Sequence, residues 1–151
     1  MRNRGLALWA ASLLASCATE PAPPGMKWVD VEVFSLLMPE SMVEVQVRPI
    51  DSYVREFNNG SLELSFDWGM YSDPLDEYRG TRSEWTEIDG RRARLVEWTQ
   101  DDGRRCLSAV HFPHPAANPE VTLSVFLSAA TPVDRELADR IFRSIRFKSR
   151  P

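Results

Sequence analysis

The chain has 151 residues, with 22 acidic against 18 basic side chains and a formal charge of −4. An acidic balance argues against nucleic acid, whose binding is dominated by Lys and Arg contacts to phosphate, and against adsorption to anionic lipid by charge alone. The length suits one domain with a real core and no second one.

Arg2 and Arg4 precede a short apolar run over residues 5–16. A membrane-spanning helix needs about 20 such residues, so the run reads as the hydrophobic part of a signal peptide. Leu14-Ala15-Ser16-Cys17 closes it. These four residues resemble a lipobox, the signal by which bacteria lipidate a cysteine and cut just before it. The resemblance implies a diacylglyceryl thioether and an acylated amino group on Cys17. At about 0.8 kcal/mol per buried CH₂, several acyl chains hold a protein firmly to a bilayer where one does not. Ala18 stands where an Asp would retain a lipoprotein in the inner membrane of Gram-negative enteric bacteria, so the resemblance implies the outer membrane, facing the periplasm. Loss of residues 1–16 leaves 16 basic against 22 acidic residues, a formal charge of −6. With Cys17 lipidated, Cys106 has no partner for an intramolecular disulfide, although the compartment permits one. Cys106 is expected to be a small buried hydrophobe.

Residues 17–25 form the lipidated Cys and a Pro-rich tether. Residues 18–25 read Ala-Thr-Glu-Pro-Ala-Pro-Pro-Gly, a composition that favours an extended chain of about 3.1 Å per residue and roughly 25 Å of reach. The folded domain is then 26–151. Trp28 starts a first strand, and Phe34-Ser-Leu-Leu-Met-Pro39 reads as another, ended by its proline. Residues 42–47 alternate apolar and polar, the pattern of a half-buried strand.

Three hairpin turns follow. A two-residue turn at Asn59-Gly60 places Phe57 opposite Leu62 and Tyr53 opposite Phe66. Asp89-Gly90 sets Glu87 opposite Arg92 and Trp85 opposite Arg94, a pairing that suits a cation–π contact. Asp102-Gly103 sets Leu95 opposite Val110 on one face, and Trp98 opposite Leu107 and Val96 opposite Ala109 on the other. Strands apolar on both faces need cover above and below. Residues 121–128 form the last strand, with Leu123, Val125 and Leu127 on one face and Phe126 on the other. Thr131-Pro-Val-Asp134 resembles a capping box with Pro132 at the first helical position. Val133, Leu137, Ala138, Ile141, Phe142 and Ile145 then make one apolar stripe. Between the first two hairpins, Asp73, Pro74 and Gly80 predict a short helix over 75–79. The fold class is α+β: a single domain with a mostly antiparallel sheet of six or seven strands and a C-terminal amphipathic helix on one face.

Chemistry-bearing motifs are sparse. There is no Gly-x-x-x-x-Gly-Lys-Ser/Thr, Gly-x-Gly-x-x-Gly, His-Glu-x-x-His, Cys-x-x-Cys or Gly-x-Ser-x-Gly, and no cofactor or metal is indicated. His111 and His114 flank Phe112-Pro113 at a strand end. They read as ordinary strand-end and loop histidines, with a metal site or a hydrolase base as the sharper alternative. Asp73, Asp76 and Glu77 lack the glycine-containing oxygen-ligand pattern of a Ca²⁺ loop. Arg91, Arg92 and Arg94 are separated from Arg104 and Arg105 by the length of a hairpin. Trp68 and Trp98 read as core. Tyr71, Tyr78 and Trp85, around the irregular 69–84 segment, are the candidate binding surface.

The order Ile50-Asp-Ser-Tyr-Val, Leu64-Ser-Phe-Asp-Trp-Gly69, Ile88-Asp-Gly90, Ala109-Val-His-Phe-Pro113 and Ile141-Phe-Arg-Ser-Ile-Arg-Phe147 resembles small uncharacterised bacterial lipoproteins and, more distantly, the PsbP-like fold. That resemblance implies a protein-binding or accessory module with helices on both sides of an antiparallel sheet, although a second long helix is missing. The expected function is a membrane-tethered, non-catalytic periplasmic accessory or binding lipoprotein with an envelope protein partner. The alternatives are a small-ligand or lipid-binding protein, or a hydrolase using His111 or His114.

Overall fold

Turn chemistry and the alternation of apolar residues together place the strands. The computed structural model describes residues 20–48, 51–78, 82–99, 106–115 and 121–148. Cys17 and the apolar run before it, the Asp102-Gly103 turn, Arg104 and Arg105 lie outside them. In chain order the elements are β1 (Met26–Asp30), β2 (Phe34–Pro39), β3 (Val43–Val45), β4 (Tyr53–Asn58), β5 (Leu62–Gly69), β6 (Arg82–Ile88), β7 (Arg91–Thr99), β8 (Cys106–Phe112), β9 (Thr122–Ala129), α1 (Arg135–Arg143) and β10 (Arg146–Phe147).

The fold is α+β and mostly antiparallel sheet, with α1 the one helix among the described residues. Seven strands pair in the order β3-β4-β5-β9-β8-β7-β6, and β1, β2 and β10 form a separate three-stranded sheet. The second sheet corrects the expectation of a single one. Its cause lies in β2, where Phe34, Leu36, Leu37 and Met38 are all buried, so that both faces need cover.

Registers follow the turns. Asp89 and Gly90 both have positive φ, 51° and 70°, the type I′ geometry whose twist matches that of paired strands. Glu87 pairs with Arg92 and Trp85 with Arg94, as expected. Leu95–Val110, Val96–Ala109 and Trp98–Leu107 also pair as expected. The Asn59-Gly60 hairpin differs: Phe57 faces Leu64 and Tyr53 faces Trp68. The side-chain oxygen of Asn59 accepts from the backbone N–H groups of both Ser61 and Leu62, which stabilises a wider turn than the two-residue one. The slip is by two residues, so every side chain keeps its face. The valines of 42–47 also depart from expectation: β3 is a short edge strand, Val43 is 63% exposed, and Met42 alone enters the core.

One face of the large sheet is the main core. Leu64, Phe66, Leu95, Val110, Phe112, Leu123, Val125 and Leu127 meet Phe34, Leu36 and Met38 of β2, and Ala138, Ile141 and Phe142 of α1. Phe34 packs edge-on against Phe66, with centroids 5.0 Å apart, so the Phe34/Leu36/Met38 face of the small sheet looks at the large one. Helix α1 continues the layer of the small sheet beside β2, where the Leu37 N–H donates to Ser144 Oγ at the helix C-cap, 2.8 Å. The helix starts at Arg135 with Asp134 as N-cap, three residues later than the Thr131 box would put it. Asp134 Oδ1 accepts from the Leu137 N–H at 2.9 Å, and Val133, just outside the helix, packs against the core with Ala138, the arrangement of a hydrophobic staple. Glu97 lies between Arg82 and Arg135 on this side. Burial alone would raise its pKa, but hydrogen bonds from the two guanidiniums hold it below the usual carboxylate value.

The Pro-rich stretch, over residues 20–25, leads into β1 and reaches the far side of the small sheet at Trp28. Trp28 and Leu37, a cross-strand pair, occupy the face opposite Phe34 and Leu36. The Trp28 indole N–H donates to Glu20 O at 2.8 Å, Ala22 packs on the core, the Met26 N–H donates to Pro23 O, and the Glu40 N–H to Gly25 O.

Two substitutions test this packing by urea unfolding with an unchanged m-value. Phe34→Ala, which empties the contact between the layers, is expected to cost about 3–5 kcal/mol. Asp134→Ala, which removes one cap, is expected to cost about 1 kcal/mol.

Candidate functional site

On the face of the large sheet turned away from the main core, one row of side chains crosses five neighbouring strands. Asp67 of β5, Ser124 of β9, His111 of β8, Arg94 of β7 and Trp85 of β6 stand in direct cross-strand register. A polar row on a sheet would normally face water. Here residues 70–78 run over it as a strap.

Two members of the row, Ser124 and Arg94, hold the strap by their side chains. Ser72 Oγ lies 2.8 Å from Asp67 O and 3.1 Å from Thr122 O. Ser124 Oγ donates to Asp73 O at 2.6 Å. Arg94 Nη1 donates to Asp76 Oδ1 at 2.6 Å. Asp73 Oδ1 accepts from the Leu75 N–H at 2.8 Å, and this turn carries Leu75 into the left-handed region, φ 62°. The strained backbone costs about 1–2 kcal/mol, while full burial of a leucine contributes about 1.5–3 kcal/mol. Leu75 is completely buried against Val96 and Ala109, so burial wins. The expected helix from residue 75 does not form over 75–78, because a helical Leu75 would give up this turn.

His111 sits under the strap. Its Nδ1 is 2.8 Å from Ser124 Oγ. The single hydroxyl hydrogen of Ser124 is committed to Asp73 O, so the tautomer follows by elimination: Nδ1–H donates to Ser124. Burial holds the pKa of His111 below its ordinary value, against the pull of Asp76 and Asp73 and with the help of Arg94 and His114. Ser124 is fully buried, its proton points at a carbonyl, and its histidine neighbour donates to it. This arrangement secures the strap; a nucleophile–base pair needs the opposite direction of hydrogen bonding. His114 is exposed in the next turn. Among the described residues no group of three or more His, Cys, Asp or Glu side chains is placed to share a metal ion. Cys106 is free and buried.

Beside the strap the same face stays open. A cleft of about 340 Å³ is lined by Tyr78, Trp98, Leu107 and Phe126, with Glu63, Ser65 and Ser128 at its polar side. Tyr78, where the described strap ends, meets Trp98 edge to face at 5.4 Å. A second recess of about 330 Å³ at the β4–β5 turn shares Glu63 and Ser128 with it, so the two adjoin. Small-molecule sites start near 300 Å³ and combine apolar walls with a few polar groups.

Of the three residues read as a binding surface, only Tyr78 lines this cleft. Tyr71 is 76% exposed at the start of the strap. Trp85 is half exposed on edge strand β6, and Arg92 covers its ring at 4.0 Å. Arg94, the expected cation, is drawn to Asp76 instead. Arg91 covers Phe147, so the three arginines serve three different contacts. Trp98, Leu107 and Phe126 complete the cleft, and the alternation of β7, β8 and β9 already places all three on the face away from the main core. The chain matches no family model and no curated protein.

The lowered pKa of His111 predicts a sign for stability against pH. Folded and unfolded His111 are both neutral well above the ordinary 6.5. Below it the unfolded chain takes up the proton first, so the contribution is lost as the pH falls through the lowered folded pKa. His111→Asn keeps a donor for Ser124 and cannot titrate. Comparing unfolding free energies at about pH 7.5 and about pH 5.5, where this linkage is read, the wild type is expected to lose more stability than the variant.

Proposed function

We propose that this protein is a lipid-anchored, non-catalytic binding module of the bacterial cell envelope, attached through Cys17 to the outer membrane and facing the periplasm. The single observation that supports binding is the aromatic cleft of Tyr78, Trp98, Leu107 and Phe126. The strap covers the middle of this face, and beside it four apolar side chains stand partly exposed next to hydroxyls and a carboxylate. An envelope protein inserting a side chain between Trp98 and Phe126 buries apolar surface at about 25 cal/mol per Å². The Leu-Ala-Ser-Cys sequence supports the anchor.

A second reading, a small ligand in the same cleft, is favoured by its volume and mixed lining. The two separate experimentally. A photo-crosslinking amino acid at Leu107 in cells is expected to capture one envelope protein, while the same group at Glu87 on edge strand β6 captures none, and Cys17→Ser abolishes the product. Absence of a product, together with a ligand-dependent rise in Tm of the purified protein that Phe126→Ser removes, transfers the cleft to the small-ligand reading. Mass spectrometry of the processed N-terminus checks the anchor directly: unmodified Cys17 overturns it.

A further inference from the structure

Glu20, the described residue nearest the proposed anchor, and the cleft lie on opposite sides of the domain. Residues 20–25 are tied to the small sheet: Glu20 O accepts the Trp28 indole N–H on its far face, Ala22 packs on the core, and Pro23 O and Gly25 O accept the backbone N–H groups of Met26 and Glu40 where the stretch enters β1. Trp28 and its cross-strand partner Leu37 point away from the large sheet, because Phe34 and Leu36, on the other face of β2, point toward it. The cleft residues Trp98, Leu107 and Phe126 are on the far face of the large sheet, their registers putting them opposite in sense to Leu95, Val110 and Val125. Two stacked layers therefore separate Glu20 from the cleft.

We infer that the far side of the small sheet, from Glu20 to Trp28, rests against the phospholipid headgroup layer, and that the cleft faces away from that bilayer and takes its occupant from the aqueous side. This rests on the reading of Cys17 as lipidated. The argument is one of lengths. Three peptide units join Cys17 to Glu20 and span at most about 10 Å. Packed sheets stand about 10 Å apart between their mid-planes, and the side chains on the two outward faces add to that. A link of three residues reaches across none of it, so the cleft cannot turn to the leaflet that holds the anchor without breaking the contacts of residues 20–25. Lipid of the anchoring leaflet is thereby excluded as the occupant, and a partner or ligand of the periplasmic space is selected.

The test uses the full lipoprotein, purified with its lipid and reconstituted into phosphatidylethanolamine–phosphatidylglycerol vesicles that carry a headgroup-level spin-labelled lipid. In a Cys106→Ala background, a fluorophore is placed at Pro21→Cys, on the small-sheet side, or at Glu87→Cys, on the cleft side of the large sheet. Both positions are exposed. The fluorophore at Pro21→Cys is expected to be quenched several-fold more than that at Glu87→Cys. Inserting about 15 Gly/Ser residues between Thr19 and Glu20, a coil of roughly 20 Å r.m.s. length, is expected to remove the difference. Equal or reversed quenching without the insertion overturns the orientation. Failure of the wild-type chain to join vesicles, together with an unmodified Cys17, overturns the anchor itself, a separate result.

Discussion

Val96 and Ala109 point away from the main core, yet neither reaches water. A sheet whose strands are apolar on both faces must be covered twice, and the rest of this structure follows from how the two covers are made. The first is a full layer, the small sheet with α1. The second is a strap of nine residues, 70–78, pressed down by a single inserted side chain, Leu75. A strap is narrower than a sheet. What it leaves uncovered is the cleft, so the candidate site is the direct remainder of an incomplete second layer.

The strap is held by hydrogen bonds as much as by burial. Ser124 serves as the junction, accepting from His111 and donating to the strap backbone at Asp73. Buried polar groups are costly when unpaired and contribute modestly when paired, so such a row specifies position more than it stabilises. The Arg94–Asp76 ion pair, with its carboxylate largely in water, contributes little by itself. It fixes the far end of the strap near the rim of the cleft, and the same pull leaves Trp85 to Arg92.

Much of this was legible in the chain. Asp89-Gly90 alone dictates the β6–β7 register, since two consecutive positive φ values suit that dipeptide. The alternation in β7, β8 and β9 shows apolar residues on both faces, which is the signal for two covers and for Trp98, Leu107 and Phe126 as a surface of their own. Asp73-Pro74 is as good a helix start as it is an Asx turn, which is why the sequence predicts a short helix over 75–79. The two outcomes differ only in where Leu75 finds a pocket, and that pocket is made by Val96 and Ala109, some twenty and thirty residues further on.

Local chemistry therefore decided the strands, their faces, the helix stripe and the proposed lipidation of Cys17, each of which depends on neighbours within one turn or one hairpin. Tertiary structure decided the separation of β1 and β2 into their own sheet, the docking of residues 20–25, the commitment of His111 to Ser124 and the position of the cleft. These depend on which layers meet. Leu75 is buried by residues of β7 and β8, and the Ser124 proton that fixes the role of His111 goes to Asp73, 51 positions away; no local pattern encodes how much of a face its cover will leave open.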